Sequence, residues 1–278
     1  MKKTREQSPD GTGRTYVSLS RNMVIRLLLI PVLVYLTWVL EIFLFEGRVQ
    51  LFLRPDPAGI ILYTVTTCIL AGLVVPVLLM RRAFVGGDVT MFHLGFRTLH
   101  RTGLAVVLTA FILGAAVALA NPFGTDRSAF AMAFLILLPT GIASVMICWV
   151  VAGTHIQALV RDGGVLPSIS VGVVVTGILF GLTSRAQFPD AGTPDTLFWY
   201  ICSGILLAVF FFAVRDVWAA SVAVTGCLVY LAAGWLDPSL LQQSFPVILL
   251  ASLLTIGVLA LVHWYLSRHY VTIPVPVA

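Results

Sequence analysis

Inside the long apolar runs of this chain, few residues other than tyrosine can exchange a proton or hold a metal. They are Arg26, Glu41, His155 and His263, together with the thiols Cys68, Cys148, Cys202 and Cys227. Ionisable side chains are costly at membrane depth, so each one found there is a candidate for function. Glu41 could act as a proton or cation relay, and His155 or His263 as a metal ligand. Against this, Glu41 stands four residues from the end of its run, where it can reach the headgroups like its neighbour Glu46. Both His lie near run ends and read more simply as lone, locally satisfied imidazoles. No two Cys have the two-residue gap of a zinc or redox motif, so all four read as structural thiols.

Established constellations are missing. A helical zinc peptidase needs two His four apart with a Glu beside the first, which puts both imidazoles on one face. No such triplet occurs, nor the Gly-Xaa-Ser-Gly turn of a rhomboid-type serine protease. Gly86-Gly87-Asp88 lacks the preceding glycine of the intramembrane aspartyl motif, and there is no G-x-x-x-x-G-K phosphate loop. These patterns predict neither a metal nor a cofactor.

The elements that must position these residues are membrane helices. The chain has 278 residues, 59% of them hydrophobic and 10% charged, whereas a soluble domain carries about 25% charged residues. With a mean hydropathy of +1.01, it holds more apolar surface than one core can hide, and the surplus must face lipid. The fold class is therefore an all-α polytopic membrane bundle. The formal charge of +5 reads as a topology signal and not as affinity for nucleic acid.

Apolar runs near the length of about 20 residues that a bilayer requires predict eight spans: Met23–Phe45, Gly59–Met80, Gly103–Ala120, Ala129–Leu159, Leu166–Thr183, Leu197–Val214, Val217–Trp235 and Val247–Leu266. The fourth is long enough to bend, at Pro139-Thr140-Gly141, or to be two pieces. Placing the amino terminus in the cytoplasm puts Lys2, Lys3, Arg5, Arg14, Arg21, Arg26, Arg81, Arg82, Arg97, Arg101, Arg161, Arg215 and Arg268 inside, thirteen of the seventeen Lys and Arg. Arg48, Arg54, Arg127 and Arg185 are left outside, so both termini are expected to be cytoplasmic. Residues 1–21 form an expected disordered basic tail, and 22–278 a single membrane domain in the cell membrane. In the connection Arg81–Thr102, Val89, Phe92, Phe96 and Leu99 recur at spacings of three and four. That spacing predicts an interfacial amphipathic helix holding Arg97, Arg101, His93 and His100 at headgroup level.

From about residue 94 to 230, the order of segments resembles the CPBP family of CAAX prenyl endopeptidases and bacteriocin-processing or immunity proteins. The residues that carry the likeness are His93-Leu94-Gly95-Phe96-Arg97, Leu138-Pro139, Ile178-Leu179-Phe180-Gly181-Leu182, Ser203-Gly204-Ile205-Leu206-Leu207-Ala208 and Val214-Arg215-Asp216-Val217-Trp218-Ala219-Ala220. The resemblance implies a Glu pair and an Arg in a first motif, where registration on Gly153 finds Ile147, Cys148 and Ala152. It implies Phe and His in a second, here Phe180 and Ser184, and His with Asn or Asp in a third, here Val224 and Leu228. Ile, Val and Leu can neither activate water nor stabilise a developing charge.

The leading expectation is therefore a CPBP-like membrane protein that has lost catalysis and binds a peptide, a lipid or a partner span. His155, Phe180, Ser184 and Thr225 are weak pocket candidates, with Ser221 beside them. Gly153, Gly172, Gly177, Gly181 and Gly204 would allow close helix approach. A permease or channel component with Glu41 and His155 on a pathway is the alternative, and an active metalloprotease using those two residues as unorthodox ligands is the second. Membrane lipids and a membrane-protein or peptide partner are the expected partners.

Overall fold

A computed structural model of the protein describes residues 21–48, 50–51, 55–85, 94–124, 126–160, 164–188 and 194–270. Helix α1 (Arg21–Ile42) runs on into a π-helical turn, Phe43–Arg48. Helix α2 is built of Pro57–Tyr63, a π-helical stretch Thr64–Val74, and Val75–Val85. Helix α3 is Leu99–Leu119, and α4 joins Arg127–Ser144, a π-helical stretch Val145–Gly153, and Thr154–Val160. Helices α5 (Val165–Gln187), α6 (Pro194–Val214), α7 (Val217–Ala232), the short α8 (Pro238–Gln243) and α9 (Phe245–Tyr270) complete the bundle. There is no strand among the described residues.

Seven of these helices are long and apolar enough to cross a membrane, and each falls on an expected span. The eighth expected span is shorter than its run, because α7 stops at Ala232 and Trp235 N–H turns back to the Ala232 carbonyl. At a rise of about 1.5 Å per residue, such a helix falls short of a hydrocarbon core of about 30 Å. The fourth span is one element: its helix continues through Pro139, and the irregularity follows as the π-helical stretch from Val145 to Gly153.

Helix α4 is the centre. Every residue from Ile136 to His155 is buried, as expected for a helix that is apolar on all faces. It is packed by α1, α2, α5, α7 and α9. Helix α3 is the opposite case: it packs on α7 at the rim and buries only Thr102 and Thr109, with Phe111 73% exposed.

Four aspartates start helices. Asp56, Asp126, Asp216 and Asp237 each accept a backbone N–H from the first turn of α2, α4, α7 and α8, which satisfies donors that a helix leaves open. The Ser128 hydroxyl and the Ala129 N–H hold the Asp126 carboxyl below its ordinary range, and the Ser239 hydroxyl and N–H do the same for Asp237. Their contribution to stability is full above the usual carboxylate pKa of about 4 and is lost as pH falls through the lowered values.

The tail 1–20 and Val89, Phe92 and His93 lie outside the described residues. The described part of the connection corrects the expected amphipathic helix. Gly95 takes a left-handed φ of 84°, and Phe96, Arg97 and Thr98 run non-helically into α3. Phe96 and Leu99 therefore share no helical face: Phe96 is buried against His263, while Leu99 is exposed.

The α5–α6 contact depends on absent side chains. A Cβ on Gly204 would stand 2.5 Å from the Gly177 carbonyl oxygen, and one on Gly181 2.9 Å from the Ile201 backbone. Small residues at such crossings let backbones touch, which is how helices associate where lipid removes the hydrophobic drive. Gly204→Ala is expected to destabilise the protein by about 1–3 kcal/mol. Gly103→Ala on α3, where a Cβ meets nothing within 4 Å, is expected to stabilise it by about 0.5–1 kcal/mol. Reversible unfolding in mixed micelles checks both, and equal effects would show that the α5–α6 contact does not need its glycines.

Candidate functional site

The positions singled out by the sequence lie in the middle of the bundle. Ile147, Cys148 and Ala152 are on the π-helical stretch of α4, Phe180 and Ser184 on α5, and Val224, Thr225 and Leu228 on α7. All are buried, and Ile147, Cys148, Phe180, Val224 and Leu228 belong to one apolar core. The Phe180 ring packs on Trp149 at a centroid distance of 5.4 Å. Phe212 fills the space beside Gly153 and Gly172, and Thr225 sits directly beneath Gly141.

The hydroxyls in this core turn back on their own helices. Ser184 donates to the Phe180 carbonyl at 3.0 Å, Thr225 to Ser221 at 2.7 Å, Ser221 to Val217 at 2.8 Å and Thr176 to Gly172 at 2.7 Å. Each bond runs between residues four apart, a closure open to Ser and Thr in any helix. His155 is held in the same way: its Nδ1 lies 2.7 Å from the Val151 carbonyl, and because a carbonyl only accepts, Nδ1 carries the hydrogen. One hydroxyl pair does cross helices. Tyr35 on α1 donates to the Leu179 carbonyl at 2.7 Å and takes a bond from Thr183 at 3.3 Å.

A second polar group lies nearer the other end of α4. The Tyr63 and Thr140 hydroxyls are 3.0 Å apart, and Cys68 Sγ is 3.8 Å from Thr140 Oγ1. Glu46 lies close enough for its charge to act on both Tyr63 and Cys68, and Glu41 lies close enough to act on Cys68. The sequence places Glu46 at the interface with Glu41 beside it, but Glu46 is only 4% exposed. The π-helical turn Phe43–Arg48 carries this buried carboxylate. About 15 residues of α4, or about 22 Å at the helical rise, separate Thr140 from His155, so Glu41 and His155 are not brought together.

The third group closes the end of the bundle where α3 and α7 begin, and here sequence reasoning saw single phrases without their contacts. The Val217 N–H donates to the Gly95 carbonyl at 3.0 Å, and Arg97 Nε donates to the Arg215 carbonyl at 2.8 Å. Asp216 is buried, with one oxygen taken by the Thr102 hydroxyl at 2.6 Å and the other by the Ala219 N–H at 2.9 Å. Arg215 donates to Gln157 Oε1 at 3.0 Å and lies over the Phe212 ring. His263 bridges Trp218 and the Arg97 carbonyl.

All four Cys are free thiols. Among the described residues, no three His, Cys, Asp or Glu side chains are gathered as a metal ion would need. Comparison of the chain with family models, with curated proteins and with solved structures finds no match.

The geometry fixes one protonation detail. The indole N–H of Trp218 can only donate, and it meets His263 Nδ1 at 2.9 Å, while Nε2 faces the Arg97 carbonyl at 2.8 Å. His263 must therefore carry its hydrogen on Nε2. Nitrogen-15 NMR of histidine-labelled protein is expected to report that tautomer for His263 and the Nδ1–H tautomer for His155. The reverse pattern at His263 would contradict the bridge.

Proposed function

We propose that this integral membrane protein is a non-catalytic relative of the CPBP peptidases, retaining a helical bundle that binds a membrane partner, peptide or lipid. The observation that carries this reading is the burial of the family's reactive positions: Ile147 and Cys148 are fully buried, Ile147 has no proton to exchange, and Cys148 is a thiol where the family has a carboxylate. Ser184 satisfies itself on its own helix. Val224 and Leu228 stand, buried and apolar, where a charge-stabilising His and Asn would be required.

The kinship is supported by how the quoted phrases pair in space. Leu94–Arg97 bonds the turn that opens Val214–Ala220, although the two lie more than a hundred residues apart. Ile178–Leu182 faces Ser203–Ala208 across the Gly177–Gly204 contact. The orientation follows the same reading: both termini in the cytoplasm of a multi-pass cell-membrane protein, which requires the short α7 to cross as an eighth span where the bilayer thins to meet it.

One observation favours the second reading, a permease or channel component. Glu41 and Glu46 share a polar group with Tyr63, Cys68, Thr67 and Thr140, and Glu41 Oε2 is buried without a hydrogen-bond partner. Carboxylates at that depth mark cation or proton pathways in many membrane proteins. Solute or proton flux into proteoliposomes that fails after Glu41→Gln would establish that reading in place of the first.

The non-catalytic reading predicts that purified protein in lipid nanodiscs leaves prenylated and membrane-embedded peptides uncut. Cleavage sensitive to a chelator would overturn it. It also predicts that Ile147→Glu destabilises the fold by about 4 kcal/mol or more without creating activity, because the new carboxyl has no partner and no water. A stable, hydrolytic Ile147→Glu protein would contradict the sealed core.

A further inference from the structure

We propose that ordered water is bound between α1 and α5, held by the Trp38 indole and the Gln187 carboxamide. The inference stands apart from the proposed loss of catalysis. Gln187 ends α5 and is 3% exposed, yet neither its Oε1 nor its Nε2 has a hydrogen-bond partner among the described residues. Trp38 on α1 is fully buried, and its Nε1 likewise meets no acceptor there. Enclosing such a group without a partner costs its full desolvation, so buried polar groups bond to protein or to ordered water.

The register of the two helices brings these groups to one contact. Tyr35 donates to the Leu179 carbonyl at 2.7 Å and accepts from Thr183 at 3.3 Å, which fixes a level at which α1 and α5 face each other. They are the first and fifth membrane helices in chain order and run in the same direction; the turn Phe43–Arg48 that ends α1 accordingly still packs on α5. Trp38 is three residues on from Tyr35, and Gln187 four on from Thr183. At about 100° and about 1.5 Å per residue, both stay within about 60° of the contact line and climb about 4.5 and about 6 Å along it. They face each other one turn beyond the Tyr35–Thr183 bond.

The chemistry of the pair selects water. An indole only donates, whereas a carboxamide carries both an acceptor and donors. The smallest set that serves all three atoms is two waters bonded to each other. One accepts from the Trp38 N–H and donates to Gln187 Oε1; the other accepts from Nε2 and donates to the first. A buried water is kept where several polar groups converge on it, and that separates this place from the middle of the bundle. The Trp149 N–H is also buried without a partner, but the rings packed on Trp149 are Phe180 and Phe211, with centroids at 5.4 and 6.4 Å. They give a water nothing strong to bond, so Trp149 stays dry while Trp38 is hydrated.

The test uses the full chain in lipid nanodiscs with its tryptophans labelled with nitrogen-15. Magnetisation transfer from water protons to each indole N–H is followed by NMR, and the signals of Trp38 and Trp149 are assigned by Trp38→Phe and Trp149→Phe. The expected result is rapid transfer to Trp38 at short mixing times, although its ring is fully buried, with none to Trp149. In Gln187→Leu, which keeps the bulk of the side chain and removes its polar atoms, the transfer to Trp38 is expected to be lost. Transfer to Trp38 no faster than to Trp149 would overturn the proposal, and the wild-type spectrum alone decides this even if Gln187→Leu fails to fold. Transfer to Trp38 that is unchanged in a folded Gln187→Leu protein would overturn the part assigned to Gln187, and with it the site between the two helices.

Discussion

A helix that is apolar on every face can exist only inside other structure, and α4 is such a helix from Ile136 to His155. Its burial organises the rest of the bundle. Helices α1, α2, α5, α7 and α9 are each apolar enough to face lipid on one side and α4 on the other. Helix α3 is left at the rim, exposing its large side chains to the bilayer. Because lipid and core are equally apolar, pattern alone cannot decide which face turns inward; close backbone approach at Gly177, Gly181 and Gly204 and the few crossing hydroxyls decide it.

The polar chemistry of the protein is pushed away from this centre. Most Ser and Thr hydroxyls that remain inside fold back onto their own helices, a few cross to a neighbour, and the groups able to carry charge gather toward the two ends of α4. Toward one end the carboxylates of Glu41 and Glu46 meet Tyr63 and Cys68. At the other, Arg97, Arg215, Asp216 and His263 interlock around a two-residue turn. The buried middle of α4 keeps the two groups apart.

The spans were legible because their signal is strong: long apolar runs bounded by charge, Pro or Gly, each within a few residues of a helix. Less visible were features that depend on local geometry. The starts at Asp56, Asp126, Asp216 and Asp237 follow a capping pattern, Asp before an apolar run, whose signal is weaker than that of hydropathy. The π-helical stretches carry no composition of their own, and one of them holds the buried Glu46. The connection Arg81–Thr102 misled because a spacing of three and four is equally available to buried residues; Phe96 obeys the pattern while packing on His263 across a left-handed glycine. Contacts between distant phrases, such as Gly95 with Val217, leave no trace in one sequence.

The account rests on a centre without water, and Cys148 reports on it directly. A small water-soluble maleimide is added to the folded protein in nanodiscs, and modification of each cysteine is read by mass spectrometry before and after denaturation. The sealed core predicts that Cys148 stays unmodified until the protein is unfolded in detergent and then reacts fully. Labelling of Cys148 in the native protein at a rate close to that of the unfolded chain would reveal a wet cavity at the very positions where a hydrolase would work, and would contradict the account.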